Sequence, residues 1–428
     1  MDEEKQSSQV FENLLFPKIF QTFRMAIQPS KLIIAFLAIA IICLAGWIMD
    51  FSKTVVGSSD GDTELQVYLG DPGQLEQFIE ENKELKDERR GVFSTLWQFA
   101  STRFHGAVNS LLVLDIRGVK ANIAEYFRGV KWALRYHPLY CIILGLIKLA
   151  VISVAGGAIC RIAALQFARG EKPGLGEALR FSTKRFLSFF TAPLAPVGII
   201  IFISVFVYLL GLIGNIPRAG ELIIGICTLL ALIAGAVIAI VLIGTAAGFN
   251  LMFPAVAYDG SDCFDAISRS FSYIYSKPWR MGFYTAMAAI YGAICYIFVR
   301  FFVFLLLIVP HGVLRIGIFN NSKLARIWTK PELFNLLGSN AEASANWSES
   351  LAAFLIYLLL LAVIGLLVSF VISFYFSANS IIYSLMRNRV DNTALEEIYT
   401  PSEESQTEPA GTEAEAEETQ PESETQDD

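Results

Sequence analysis

The chain has 428 residues, 54% of them hydrophobic and only 17% charged, with a mean hydropathy of +0.52. That balance excludes a water-soluble globular protein, whose core does not need repeated uninterrupted apolar runs. The formal charge of −7 hides an asymmetry: residues 390–428 hold fourteen of the forty acids and no Lys or Arg, which leaves the rest at +7, the sign that suits anionic lipid.

The chain opens with Asp2, Glu3 and Glu4, and its first long apolar run starts only after thirty residues without a small-residue cleavage site. It reads as a retained anchor, not a signal peptide. Residues 9–28 carry Val10, Leu14, Phe20 and Phe23 among polar positions, the pattern of an interfacial helix, before Pro29-Ser30-Lys31 turns the chain.

Spans of about 20 predominantly apolar residues are expected at 32–49, 139–160, 194–214, 221–250, 281–309 and 351–386. The expected fold is therefore all-α, a six-span polytopic bundle with interfacial amphipathic helices. Its parts are a cytoplasmic N-terminus (1–31), a first span (32–49), an external helical segment (50–138), a five-span bundle with an internal repeat (139–390) and a disordered acidic cytoplasmic tail (391–428). Fourteen Lys and Arg flank the spans in short segments on one side against five on the other, which places both termini inside.

The external segment holds no complete span. Asp71-Pro72 opens a helix with Leu75, Phe78, Ile79 and Leu85 on one face. Residues 92–114, interrupted by Arg103, His105 and Asn109, are expected to lie on the membrane surface. Residues 119–136 place Lys120, Arg128, Lys131 and Arg135 among apolar positions and predict a basic interfacial helix. A cap packed on the bundle and a lid or partner surface both fit. The tail from Thr400, rich in Glu, Ser, Thr, Gln and Pro, cannot bury enough apolar surface to fold. It is either a solvated tail or a docking segment for a basic cytoplasmic partner.

An internal repeat with an offset of 88 residues aligns Glu177, Ala178, Leu179 and Ser182 with Asp265, Ala266, Ile267 and Ser270. Each copy predicts a short helix with an acid in its first turn, where negative charge suits the helix dipole. Arg180 and Lys184 fall on the opposite face to Ser182, and Arg269 adjoins Ser270. Each copy joins an inward-going span to an outward-going one, so the duplication is parallel, with its axis along the membrane normal. The stretches GGAICRIAALQFARGE, EALRFSTKRFLSFF and AYDGSDCFDAISRSFSYIYSKPWR resemble a group of uncharacterised bacterial six-span proteins. They are also distantly similar to the membrane domain found beside some glycerophosphodiester phosphodiesterases. The resemblance, over residues 120–390, implies an envelope membrane protein and brings no catalytic residues.

Lys148 and Arg300 fall at similar depth inside spans, each about ten residues from the outer end, with no acid in the middle of any span. A charge there marks a polar path, a carbonyl-lined site or a bound anion, or else snorkels to the headgroups. With Tyr284, Tyr291, Tyr296 and Asn250 nearby in sequence, they predict a cavity for an anionic headgroup or solute. Gly244 and Gly248 allow close helix approach, for internal packing or a homo-oligomer.

The six cysteines have neither disulfide nor zinc spacing, and His105, His137 and His311 lack ligand spacing. No catalytic motif is present. The sequence therefore predicts no enzyme, no metal, no cofactor and no nucleic-acid partner. Two functions fit: a non-catalytic protein that organises lipid or a membrane or cytoplasmic partner, and a carrier of an anionic amphiphile or small anionic solute.

Overall fold

The computed structural model describes residues 15–58, 62–82, 89–318, 321–333, 335–338 and 346–399. Among these the secondary structure is helical, with two isolated bridges, Val55 to Arg90 and Gly57 to Thr63. Six helices are long and apolar enough to cross a membrane: α2 (Pro29–Asp50), α7 (Pro138–Arg169), α10 (Ala195–Ile213), α11 (Ala219–Asp259), α13 (Pro278–Gly317) and α15 (Trp347–Val390). The protein is an all-α polytopic integral membrane protein. Pro sits at the first or second position of α2, α7, α10 and α13, where its missing N–H costs nothing.

Helices α2, α7, α13 and α15 pack side by side, and α11 joins them only through its last turns, where Leu251 to Tyr258 are buried. Beyond that contact α10 and the first half of α11 pair with each other and stand exposed on nearly every face. Both are apolar all round, so lipid is their solvent.

The two repeats build the elbows at one end of the bundle. Helix α7 stops at Gly170, whose φ of 71° is the left-handed cap that glycine takes without strain, and Pro173 prevents resumption. The chain then forms α8 (Leu175–Lys184) and α9 (Phe186–Thr191). Helix α11 stops in the same way at Gly260, with φ 60°, and α12 (Cys263–Ser276) starts where the Asp262 side chain accepts the Asp265 N–H at 2.9 Å. Ser182 and Ser270 are both fully buried against the preceding span.

Gly157 leaves the room that Ser182 and Phe189 fill, and Gly244 and Gly248 leave the room that Phe271, Ile274 and Ser270 fill. Of the two uses open to these small residues, Gly244 and Gly248 serve packing within the chain, where α12 covers them.

At the opposite end, α3 (Glu64–Gly70) and α4 (Leu75–Glu81) form a small cap. Here α5 (Val92–Leu112) and α6 (Ile116–Tyr136) form an antiparallel hairpin. The surface-lying helices expected over 92–114 and 119–136 are instead this hairpin, set against α13, α2 and α7. Its start is pinned where Phe93 and Ser94 donate their N–H groups to Asp50 at 2.9 and 2.8 Å, and its arms are joined by the Arg103–Glu125 pair at 2.5 Å. Of the polar positions that argued for the surface, Arg103 joins the two arms and His105 holds the hairpin to α13 through Tyr296.

The N-terminal segment differs from expectation too. Residues 1–14 lie outside the described residues, while the 3-10 turn Phe16–Gln21 and α1 (Thr22–Ala26) wedge against α13 and α15. Phe16 meets Phe283, Phe20 meets Tyr291, and Phe23 meets both Phe298 and Phe370, so three aromatic rings from the turn and α1 are spent on the bundle side. A short α14 (Asn321–Ile327) precedes α15.

The tail also begins later than residue 391. Residues 391–399 strap across the elbow end with Ile398 buried, and residues 400–428 lie outside the described residues.

Candidate functional site

Between the α5–α6 hairpin and the spans α11, α13 and α15 lies a cleft of about 390 Å³. Its walls run from Tyr296 to Thr285 on α13 and from Phe370 to Ile382 on α15, some 16 to 18 Å at helical rise. Small residues on α13, among them Ala289, Gly292 and Ala293, keep it open, and the hairpin closes it with Phe104, Val108, Leu111, Val119 and Ile123. The polar lining is uncharged: Asn250, Thr285, Tyr296, Tyr375 and Asn379. Asn250 accepts the Tyr375 hydroxyl, and the Asn379 amide donates to the Tyr375 carbonyl at 2.9 Å.

Of the residues expected to form an anion cavity, the structure brings Asn250 and Tyr296 to this cleft and leaves the other four elsewhere, Tyr284 among them, buried in the main core. Lys148 stands 5.7 Å over the Phe93 ring at the start of the hairpin. Tyr291 donates its hydroxyl to the Phe20 carbonyl at 3.0 Å, fastening the N-terminal wedge. Arg300 lies behind the cleft wall, only 4% exposed. Its Nε donates to the Leu333 carbonyl at 2.7 Å, and its NH1 meets the Tyr296 hydroxyl at 2.6 Å and His105 Nε2 at 2.5 Å. The shared site for Lys148 and Arg300 is corrected: they engage different parts of the hairpin.

The Arg300 guanidinium can only donate, so His105 Nε2 is the acceptor in this contact. The three histidines stand in three places: His105 on Arg300, His137 3.5 Å from Glu64, and His311 against Trp328. Among the described residues no group of three His, Cys, Asp or Glu converges.

The elbow end carries a polar network that the sequence reading did not single out. Asp259, at the last turn of α11, sits between Arg387 at 3.4 Å and Arg269 at 3.5 Å and takes the Tyr383 hydroxyl. An acid at a helix C-terminus opposes the dipole, and the two guanidinium groups offset that. Arg161 donates to the carbonyls of Ala257 at 2.9 Å and Tyr399 at 2.8 Å, Arg387 donates to that of Glu397 at 2.7 Å, and Arg169 to that of Ile398 at 3.3 Å. Lys31 is fully buried with its ammonium on Gln166 at 2.9 Å and Ser377 at 3.4 Å. The signal was available as five serines at three- and four-residue spacing on α15, from Ser369 to Ser384, all buried in a helix that otherwise reads as a plain span.

Glu177, Arg180 and Lys184 on the first elbow are exposed, while on the second Arg269 pairs with Asp265 at 2.9 Å. No family model, no curated protein and no solved structure matches the chain.

Proposed function

We propose that this integral membrane protein binds the hydrocarbon chain of a membrane lipid or lipid-like amphiphile in the cleft, and that it works by holding that chain, without covalent chemistry. The observation that carries the reading is the cleft itself, an apolar slot about 16 Å long with uncharged polar groups, opening among membrane-spanning helices. A charge placed inside it would meet no counter-charge and would be costly to desolvate, so the chain enters and the head does not.

The charge count around the spans supports a cytoplasmic elbow end, and the resemblance of the two elbows supports a bacterial inner membrane. The parallel duplication favours a second reading, in which the bound amphiphile is carried between leaflets.

Ala289 lines the cleft and is exposed to it, so Ala289→Phe fills the slot without entering the core. The expected outcome is loss of most lipid co-purifying with the detergent-extracted protein, read by native mass spectrometry. Ala286→Phe, on an exposed position outside the cleft, should retain it. Equal lipid retention by both variants would remove the reading.

A further inference from the structure

The depth of the hairpin follows from its anchors. It starts at Asp50, the end of a 22-residue span. Arg103 lies ten residues beyond Phe93, about 15 Å along α5, and its pair with Glu125 puts α6 in register there. Lys120 is five residues nearer the turn than Glu125, and Arg117 eight, so they lie roughly 22 and 27 Å from the rim of a hydrocarbon layer about 30 Å thick. The contact of His105 with Arg300, within the apolar stretch of α13, gives the same depth independently.

At 100° per residue, α6 divides into three sectors. Gly129, Trp132 and Ala133 are buried. Val119, Ile123, Phe127 and Leu134 form an apolar face, and the first two line the cleft. Immediately beside that face runs a stripe of exposed cations, Lys120 and Lys131 bordering it and Arg117, Arg128 and Arg135 behind. Of the two acids at hand, Glu125 is joined to Arg103, and Asp115 belongs to the hairpin turn. By the same count Lys131 and Arg135 lie close to the rim, while Lys120 and Arg117 lie about 8 and 3 Å from the opposite face, where their stems reach that face's headgroup layer.

We propose that the inner end of the cationic stripe of α6, at Lys120 and Arg117, reaches the headgroup layer at the elbow end, and that it binds the phosphate of an anionic lipid whose chain occupies the cleft. The proposal rests on the cleft reading for the chain and adds the head. The apolar and cationic sectors adjoin on one helix, as the two parts of an anionic phospholipid do. Lys120 is the position where they meet.

The test uses the full chain in mixed micelles of phosphatidylglycerol and phosphatidylcholine, with bound lipid counted by native mass spectrometry. The wild type should prefer phosphatidylglycerol; Lys120→Gln should lower the preference about fivefold, the effect of one cation near an anionic group, and Lys131→Gln, about 16 Å away along α6, should leave it unchanged. Ala289→Phe should lower both lipids together and leave their ratio unchanged. An added arm with inorganic phosphate should not displace the lipid; displacement would show a free-phosphate site and overturn the assignment. A wild type without preference, or a preference untouched by Lys120→Gln, would overturn it too, while the loss of lipid in Ala289→Phe would still uphold the cleft. In reconstituted protein with its native cysteines replaced by Ala, Lys120→Cys should react with a membrane-impermeant thiosulfonate. Reaction only with a membrane-soluble maleimide would place position 120 in hydrocarbon and overturn the assignment.

Discussion

The two elbows have one plan and different stitching. In the first, Ser182 donates across helices to the carbonyls of Ser153 at 3.0 Å and Val154 at 2.7 Å on α7, and the elbow breaks at Arg185 into two short helices. In the second, the aligned Ser270 donates within its own helix, to Ala266 at 2.7 Å, and the helix runs unbroken for 14 residues. What fastens the second elbow is charge: Arg269 joins Asp265 to Asp259, and Asp259 reaches Arg387 on α15. A duplicated sequence thus conserves where the serine sits, while each copy finds its own partners.

The sharpest way to break the comparison is at Asp259. Asp259→Asn leaves Arg387 buried beside a neutral amide and should destabilise the protein by about 3 to 5 kcal/mol, seen as an early thermal transition in detergent. At the first elbow, Glu177→Gln, at the acid aligned with Asp265, alters an exposed side chain and should leave the transition in place.

A smaller effect is expected at the glycine seats. In Gly157→Ala the new methyl would lie 2.5 Å from Ser182 Oγ and 2.7 Å from the Phe189 ring. The crowding should cost about 1 to 3 kcal/mol. Adding Ser182→Ala should recover only part of it, because Phe189 stays; full recovery would mean that the ring moves freely and that the elbow is looser than drawn here.

The smallest effect separates the serines themselves. Ser182→Ala removes a hydroxyl held by another helix and should cost about 1 kcal/mol. Ser270→Ala removes one bonded to its own turn and should fall within about 0.5 kcal/mol of the wild type. Equal losses in paired denaturation curves would show that the two elbows are fastened alike.

Much of the architecture was legible because it rests on counting. Runs of about 20 apolar residues must be helices in lipid, and Gly170 with Pro173 and Gly260 with Asp262 end them in ways that local chemistry dictates. The hairpin was not legible. Arg103 read singly as a mark of a water-facing surface, and only its pairing with Glu125 lets α5 and α6 lie together against the spans.

The candidate site was half legible. Asn250 and Tyr296 were marked, while Ala289, Gly292 and Val119, which shape the cleft, are ordinary span or helix residues until neighbours surround them. Arg300 stood out as a buried cation, yet the partners that neutralise its hydrogen-bonding need come from positions 105 and 333, far away in the chain. Arg161 and Lys31 escaped notice because each lies within one or two turns of a helix end, where a charge normally reaches water.

By itself the sequence determined that the chain is an integral membrane protein of six apolar helices with a repeated elbow, because hydrocarbon forces every backbone group into local hydrogen bonds. The tertiary structure alone decided that residues 92–136 turn back as a hairpin, that the strap at 391–399 closes the elbow end, and that an uncharged cleft lies between hairpin and spans. Those features depend on pairs of side chains tens to hundreds of residues apart. No periodicity along the chain records such pairs.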